Sequence, residues 1–284
     1  MRSKICSCLL GIMIFATGIY AQEKPIRLIV RGDDMGFSHA GNEALVKCYK
    51  EGIQRSIEVL VPSPWFPEAV RLLEKIPDAD IGVHLALTSE WETVKWRPLT
   101  HCPSLTDSDG YFYPMLWPNK NYPNNALKEH AWKLDEVEKE LRAQIELAIK
   151  KIPRISHVSA HMGCSSLDKE VTAVVKKLVK EYKIDIDLGE LGVKSIGYKG
   201  PSKTSEEKLK SFLNMLDSLK AGETYLFVDH PALDGPEMRA VYHIGYENVA
   251  SDRQGVTDLF TNPLVAKAID QKKIKLISYA DLKK

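Results

Sequence analysis

The chain has 284 residues, 44% of them apolar and 27% charged, with a formal net charge of +1. That length and balance suit one sizeable packed core and argue against disorder. The near-neutral charge removes the electrostatic case for a nucleic-acid or anionic-surface partner.

The N-terminus carries Arg2 and Lys4, an apolar run over 9–19, and small residues Gly18 and Ala21 before polar Gln22-Glu23-Lys24. A basic flank, a short apolar centre and a small-residue exit predict a secretory signal peptide over 1–21, hence export to the periplasm or medium. The run is short for a membrane span, so stable membrane insertion is not expected, and an uncleaved anchor is the rival reading. No cysteine stands at the expected cleavage point to take a lipid anchor. Beyond it lie Cys48, Cys102 and Cys164, an odd number with no CxxC, so a disulfide framework is not expected and at most one bridge could form.

Short apolar, β-branched runs at 26–31, 56–61, 80–86, 155–160, 184–188, 224–229 and 274–278 predict strands. Amphipathic stretches at 41–51, 65–75, 134–150, 168–181, 204–219 and 256–270 predict helices. In the third of these, Leu134, Val137, Leu141, Ile145, Ala148 and Ile149 share one face. Strands alternating with helices imply a parallel sheet. The predicted fold class is α/β, a single-domain seven-stranded (β/α) barrel over 22–284, with a doubly wound open sheet as the alternative. Residues 88–133 break the alternation and read as an insertion. They hold Trp91, Trp96, Trp117 and Trp132, four of the five tryptophans, with Tyr111, Phe112, Tyr113 and Tyr122. A segment this long without a periodic element is usually functional. Its rings could stack on a sugar or fold the segment onto the barrel.

In parallel β/α architectures functional groups gather where strands end. The first strand ends in Asp33-Asp34, the third carries His84, the fourth His157, Ser159 and His161, and the sixth Asp229-His230. In a regular strand His157, Ser159 and His161 share a face. Imidazole among apolar neighbours is costly unless its nitrogens find partners, and a divalent ion is one such partner. One carboxylate with two imidazoles leaves coordination positions for water and substrate. Adjacent side chains on a regular strand diverge, so one acid of the doublet can be a ligand and the other a general base. Singly, each feature has a plainer reading: a satisfied core histidine, a helix N-cap, a proline-held turn. Their occurrence together at four strand ends favours a site. No HExxH helix, phosphate loop, GxSxG elbow or GxGxxG turn is present.

The blocks GDDMGFSHAGNEA, IGVHLAL, HVSAH, VDHPALD and SDRQGVTDL, in this order, resemble the YdjC-like family, the ChbG-type carbohydrate deacetylases, over about 26–282. The resemblance implies a barrel of the glycoside hydrolase/deacetylase type, a divalent ion (Mg²⁺ or Zn²⁺), and removal of N-acetyl groups from amino sugars or oligosaccharides. It implies Asp34, His84 and His161 as metal ligands, Asp33 as catalytic base, and His230 as acid or substrate contact. Arg253, with Trp91, Trp96 and Trp117 of the insertion, is expected at the substrate. The chain departs from the family pattern at Ser159, where an acid is usual, at Gly163, where a second histidine is usual, and at Ala232 and Val256. The ligand set survives these departures, but its supporting partners are altered, which admits a divergent subgroup with another substrate or weakened catalysis. Another metal hydrolase, acting on an ester or a phosphoester, and an exported sugar-binding protein stay open as alternatives, as does a homodimer.

Overall fold

The computed structural model describes residues 24–283, so the signal reading over 1–21 lies outside the described residues. Seven strands and eight α-helices are found there. They run β1 (Arg27–Met35), α1 (His39–Glu51), β2 (Ser56–Val59), α2 (Phe66–Leu73), β3 (Asp80–Leu85), α3 (Leu134–Lys151), β4 (Ile155–Ala160), α4 (Lys169–Glu181), β5 (Lys194–Ile196), α5 (Ser205–Leu216), β6 (Thr224–Asp229), α6 (Pro236–Arg239), α7 (Val249–Phe260), α8 (Pro263–Gln271) and β7 (Lys275–Ile277). Every strand pair is parallel, in the order β4-β3-β2-β1-β6-β5, with β7 beside the first half of β1. Among the described residues no ladder joins β4 to β5. The sheet is therefore a half-barrel wall of six strands with a seventh laid against it, in a single domain.

Period-2 alternation sorts the strand side chains to two faces. Leu28 and Val30 face Phe212, Val256, Leu259 and Phe260 of the helical jacket. Ile57, Val59, Ile81 and Val83 face Leu45, Leu73, Leu141 and Ile145. On the concave side Ile29, Leu226, Ile277 and Tyr279 plug the base. Above them the concave face turns polar. In α3, Val137, Leu141, Ile145 and Ala148 are fully buried, as the periodicity predicted. The same helix also buries Glu140 and Gln144. Glu140 accepts hydrogen bonds from Leu99 N and Thr100 N, and Gln144 bonds Ala86 N and O, so this helix fastens the 88–133 insertion to the barrel.

Two elements differ from the sequence reading. Residues 184–188 are not a strand; the fifth strand is Lys194–Ile196. Ile184 and Ile186 alternate because they are buried, but Asp187 Oδ1 accepts from Gly189 N and Glu190 N and turns the chain before a ladder can form. The predicted helix 256–270 is two helices. Pro263 cannot donate to the preceding turn, and Asn262 caps a new helix by accepting from Leu264 N at 2.9 Å. Cys48, Cys102 and Cys164 are free and buried. None of the described helices is long and apolar enough to cross a membrane.

Candidate metal centre

The site begins with the irregularity at the end of β1. The register against β2 shifts between Gly32 and Met35, a β-bulge, and Asp34 adopts a left-handed backbone at φ 69°. Bulges re-aim side chains, and aspartate is among the residues that tolerate this conformation. The adjacent carboxylates therefore do not diverge as a regular strand would require. Both face His84 of β3: its Nε2 lies 3.5 Å from Asp34 Oδ1 and 3.8 Å from Asp33 Oδ2. The doublet is not a helix cap. Ser38 caps α1 by accepting from Gly41 N, and Asn42 in the first turn holds the loop by accepting from Gly36 N, where φ is 112°.

His161 follows β4 and opens the short 3₁₀ segment His161–Ser166. Its Nδ1 lies 3.2 Å from Asp34 Oδ1, and its Nε2 lies 2.9 Å from Glu90 Oε2. Asp34, His84 and His161, all buried, each offer one ligand atom within 4.8 Å of the others. Asp34 Oδ1, the oxygen between the two rings, is buried and has no hydrogen-bond partner. A hard anionic oxygen left unpartnered between two imidazole nitrogens fits a divalent cation. The electrostatics agree. Burial pulls the His161 imidazole down, but the Glu90 and Asp34 carboxylates outweigh it and push it up to about 10. Burial would raise the Asp34 carboxyl, yet Arg253, His230 and His161 hold it well below the usual carboxylate range. This is a pocket built to hold positive charge.

Asp33 is held by its strand neighbour two positions back. Arg31 Nε and Nη2 donate to its two oxygens at 2.7 and 2.8 Å, and Arg31 Nη1 donates to Tyr279 Oη at 2.8 Å. Arg253, from α7, donates to Asp34 Oδ2 at 2.8 Å and lies over the rings of Phe37 and Trp91. It is a neighbour of the ligand set as well as of the cavity. His230 follows β6; its main-chain N–H donates to Asp229 Oδ1, while Asp229 Oδ2 accepts from Tyr198 Oη at 2.6 Å. Burial lowers the His230 imidazole, but Asp34 and Asp229 prevail and raise it above its ordinary value.

These groups surround a cavity of about 340 Å³ lined by Asp33, Asp34, His84, Glu90, Trp91, His161, His230 and Arg253, with Met162, His243 and Tyr246 at its edge. Of the aromatic residues expected at substrate, Trp91 lines it. Trp96 and Trp117 do not. Trp96 is buried, its indole N–H donating to Thr88 O, and its ring sits 6.1 Å from that of His161 as packing behind it. Trp117 is exposed and sits under Lys128 Nζ. Gly163, at φ 76°, stands in a turn with open space where its side chain would be, and Val256 is core. Glu58 and Glu90, both buried, are not among the residues the sequence pattern points to. The signal for Glu90 was its place just beyond the third strand, inside the insertion. For Glu58 it was an acid in the middle of a β-branched run.

The family described as YdjC-like protein matches residues 27–271. A carbohydrate deacetylase of Thermus thermophilus is 34% identical over 236 residues, 75% of this chain and 80% of its own length. A carbohydrate deacetylase of Thermoanaerobacter pseudethanolicus is 26% identical over 269 residues, 90% of this chain and 99% of its own. A crystal structure from Enterococcus faecalis, of a protein named for cellobiose-phosphate cleavage, superposes with a TM-score of 0.69 at 24% identity, covering 92% of this chain and 99% of that one.

Proposed function

The chain belongs to the YdjC-like family, and on that premise we propose that it is a metal-dependent carbohydrate deacetylase that hydrolyses N-acetyl groups of amino sugars or oligosaccharides. The observation that carries this reading is the unpartnered Asp34 Oδ1 between His84 Nε2 and His161 Nδ1, in a chain whose relatives are named carbohydrate deacetylases. A divalent ion, Zn²⁺ or Mg²⁺, held by Asp34, His84 and His161 would supply Lewis-acid polarisation of the acetyl carbonyl and a more acidic water.

The protein's own groups do the rest. Asp33, kept in place by the two hydrogen bonds from Arg31, takes the proton of the attacking water. Its acceptor capacity is not exhausted, because each carboxylate oxygen has two lone-pair sites and Arg31 uses one of each. His230, raised above its ordinary value, donates a proton to the departing amine. Arg253 fixes Asp34 Oδ2 and so leaves Oδ1 for the ion. Trp91 contributes apolar wall to the cavity, its ring packed against Phe37 and Arg253.

The test is acetate release from N-acetylated oligosaccharides by protein loaded in turn with Zn²⁺, Mg²⁺, Co²⁺ and Ni²⁺. Asp33→Asn should lower turnover by about 10²–10⁴-fold with metal still bound; undiminished turnover removes Asp33 from the base role. Phosphate or ester hydrolysis in place of acetamide hydrolysis would redirect the substrate class, since a fold does not fix its substrate.

A further inference from the structure

His161 is backed directly by the Glu90 carboxylate. His84 has no acid against its outer nitrogen; its Nδ1 lies 2.7 Å from Ser159 Oγ. Ser159 Oγ in turn donates to Glu58 Oε2, and Glu58 Oε1 lies 2.6 Å from His157 Nε2. Glu58, from β2, thus reaches across β3 to two residues of β4. The crossing depends on one glycine. Glu58, Gly82 and His157 are in register across the three strands. A Cβ on Gly82 would stand 2.3 Å from Glu58 Oε2 and 2.5 Å from His157 Nε2.

We propose that Glu58 is a positioning residue for the metal centre, acting through Ser159 to fix the tautomer of His84. This rests on reading Asp34, His84 and His161 as metal ligands. The argument is one of hydrogen-bond polarity. An ionised carboxylate only accepts, so the single Ser159 hydroxyl proton is committed to Glu58. The serine oxygen can then only accept from His84, which places a proton on Nδ1 and leaves the Nε2 lone pair facing Asp34 Oδ1. Reversing the chain would leave Glu58 Oε2 buried without a donor and put the proton on the ligating nitrogen. A hydroxyl with a carboxylate from the neighbouring strand does for His84 what Glu90 does for His161.

The experiment uses the whole protein and two readouts other than turnover: Zn²⁺ affinity by chelator competition, and the His84 tautomer by ¹⁵N-histidine NMR before metal is added. Wild type should show His84 protonated on Nδ1. Ser159→Ala and Glu58→Gln should each weaken Zn²⁺ binding by about 10–100-fold. Ser159→Thr, which keeps the hydroxyl, should stay within about threefold. The double variant Glu58→Gln/Ser159→Ala should lose little more than either alone, because the two act in one path. Should Glu58→Gln not fold, the Ser159→Ala and Ser159→Thr pair decides alone. A wild-type His84 protonated on Nε2, or Ser159→Ala binding Zn²⁺ as tightly as wild type, overturns the relay with the metal centre intact. A wild type that binds no divalent ion overturns the centre itself and the relay with it.

Discussion

The two faces of the half-barrel are built from the same strands and obey opposite rules. Facing the helices stand Leu28, Val30, Ile57, Val59, Ile81 and Val83, all with no exposure. Facing the lumen, above the plug of Ile29, Leu226 and Ile277, stand Arg31, Asp33, Glu58, Asp80, His84 and His157. Arg31, Asp33, Glu58 and Asp80 each have a polar or charged partner. Arg31 takes Asp33, Glu58 takes His157, and Asp80 accepts from Ser56, Ser156 and Tyr279 N. Buried ion pairs add little net stability, because desolvation offsets their attraction. Apolar burial contributes about 25 cal/mol per Å² without such an offset. The labour is divided: the outer face holds the fold together, and the inner face is left to be specified by chemistry.

Substitutions on the two faces test that division. The largest effect is expected at Asp34. Asp34→Asn, or removal of metal by a chelator, should lower acetate release by more than about 10³-fold, as loss of several kcal/mol of charge stabilisation implies, and re-adding metal should restore only the chelated wild type. Next comes Glu90→Gln, which should weaken metal binding by about 10–100-fold in a competition assay with a modest change in melting temperature. On the outer face the order of readouts inverts. Ile57→Val should cost about 0.5–1.5 kcal/mol in denaturant unfolding and leave metal affinity unchanged; a matching loss of affinity would deny that the faces are separate. The smallest effect is expected at exposed Trp117, where substitution by Ala should alter stability by no more than about 0.5 kcal/mol and leave KM for the sugar unchanged. A raised KM there would return Trp117 to the substrate.

The outer face and the gathering of acids and histidines at strand ends could be read from the sequence because both follow simple periods, whereas the candidate ligand roles came with the family resemblance. The α3 stripe and the acids and histidines at strand ends appeared where a period of 3.6 or 2 put them. Three things were hidden. The bulge at Asp33-Asp34 depends on the register against β2, a long-range fact, so a regular strand wrongly sent the two carboxylates apart. Glu58 stands as an acid in the middle of a β-branched run, and nothing local tells whether that position faces a lumen or solvent. Residues 184–188 alternate as a strand would, yet that alternation records burial against the open side of the sheet and no hydrogen-bond ladder.

The insertion over 88–133 is fastened at several separate points. Glu140 accepts from Leu99 N and Thr100 N, Glu136 accepts from Ser104 N, and Tyr122 bridges Glu92 and Ile244 N. A segment so tethered has little freedom left to lose when a sugar arrives. If the proposed sugar substrate holds, its capture would then require no folding of a flap, and the temperature dependence of binding should be that of a rigid receptor.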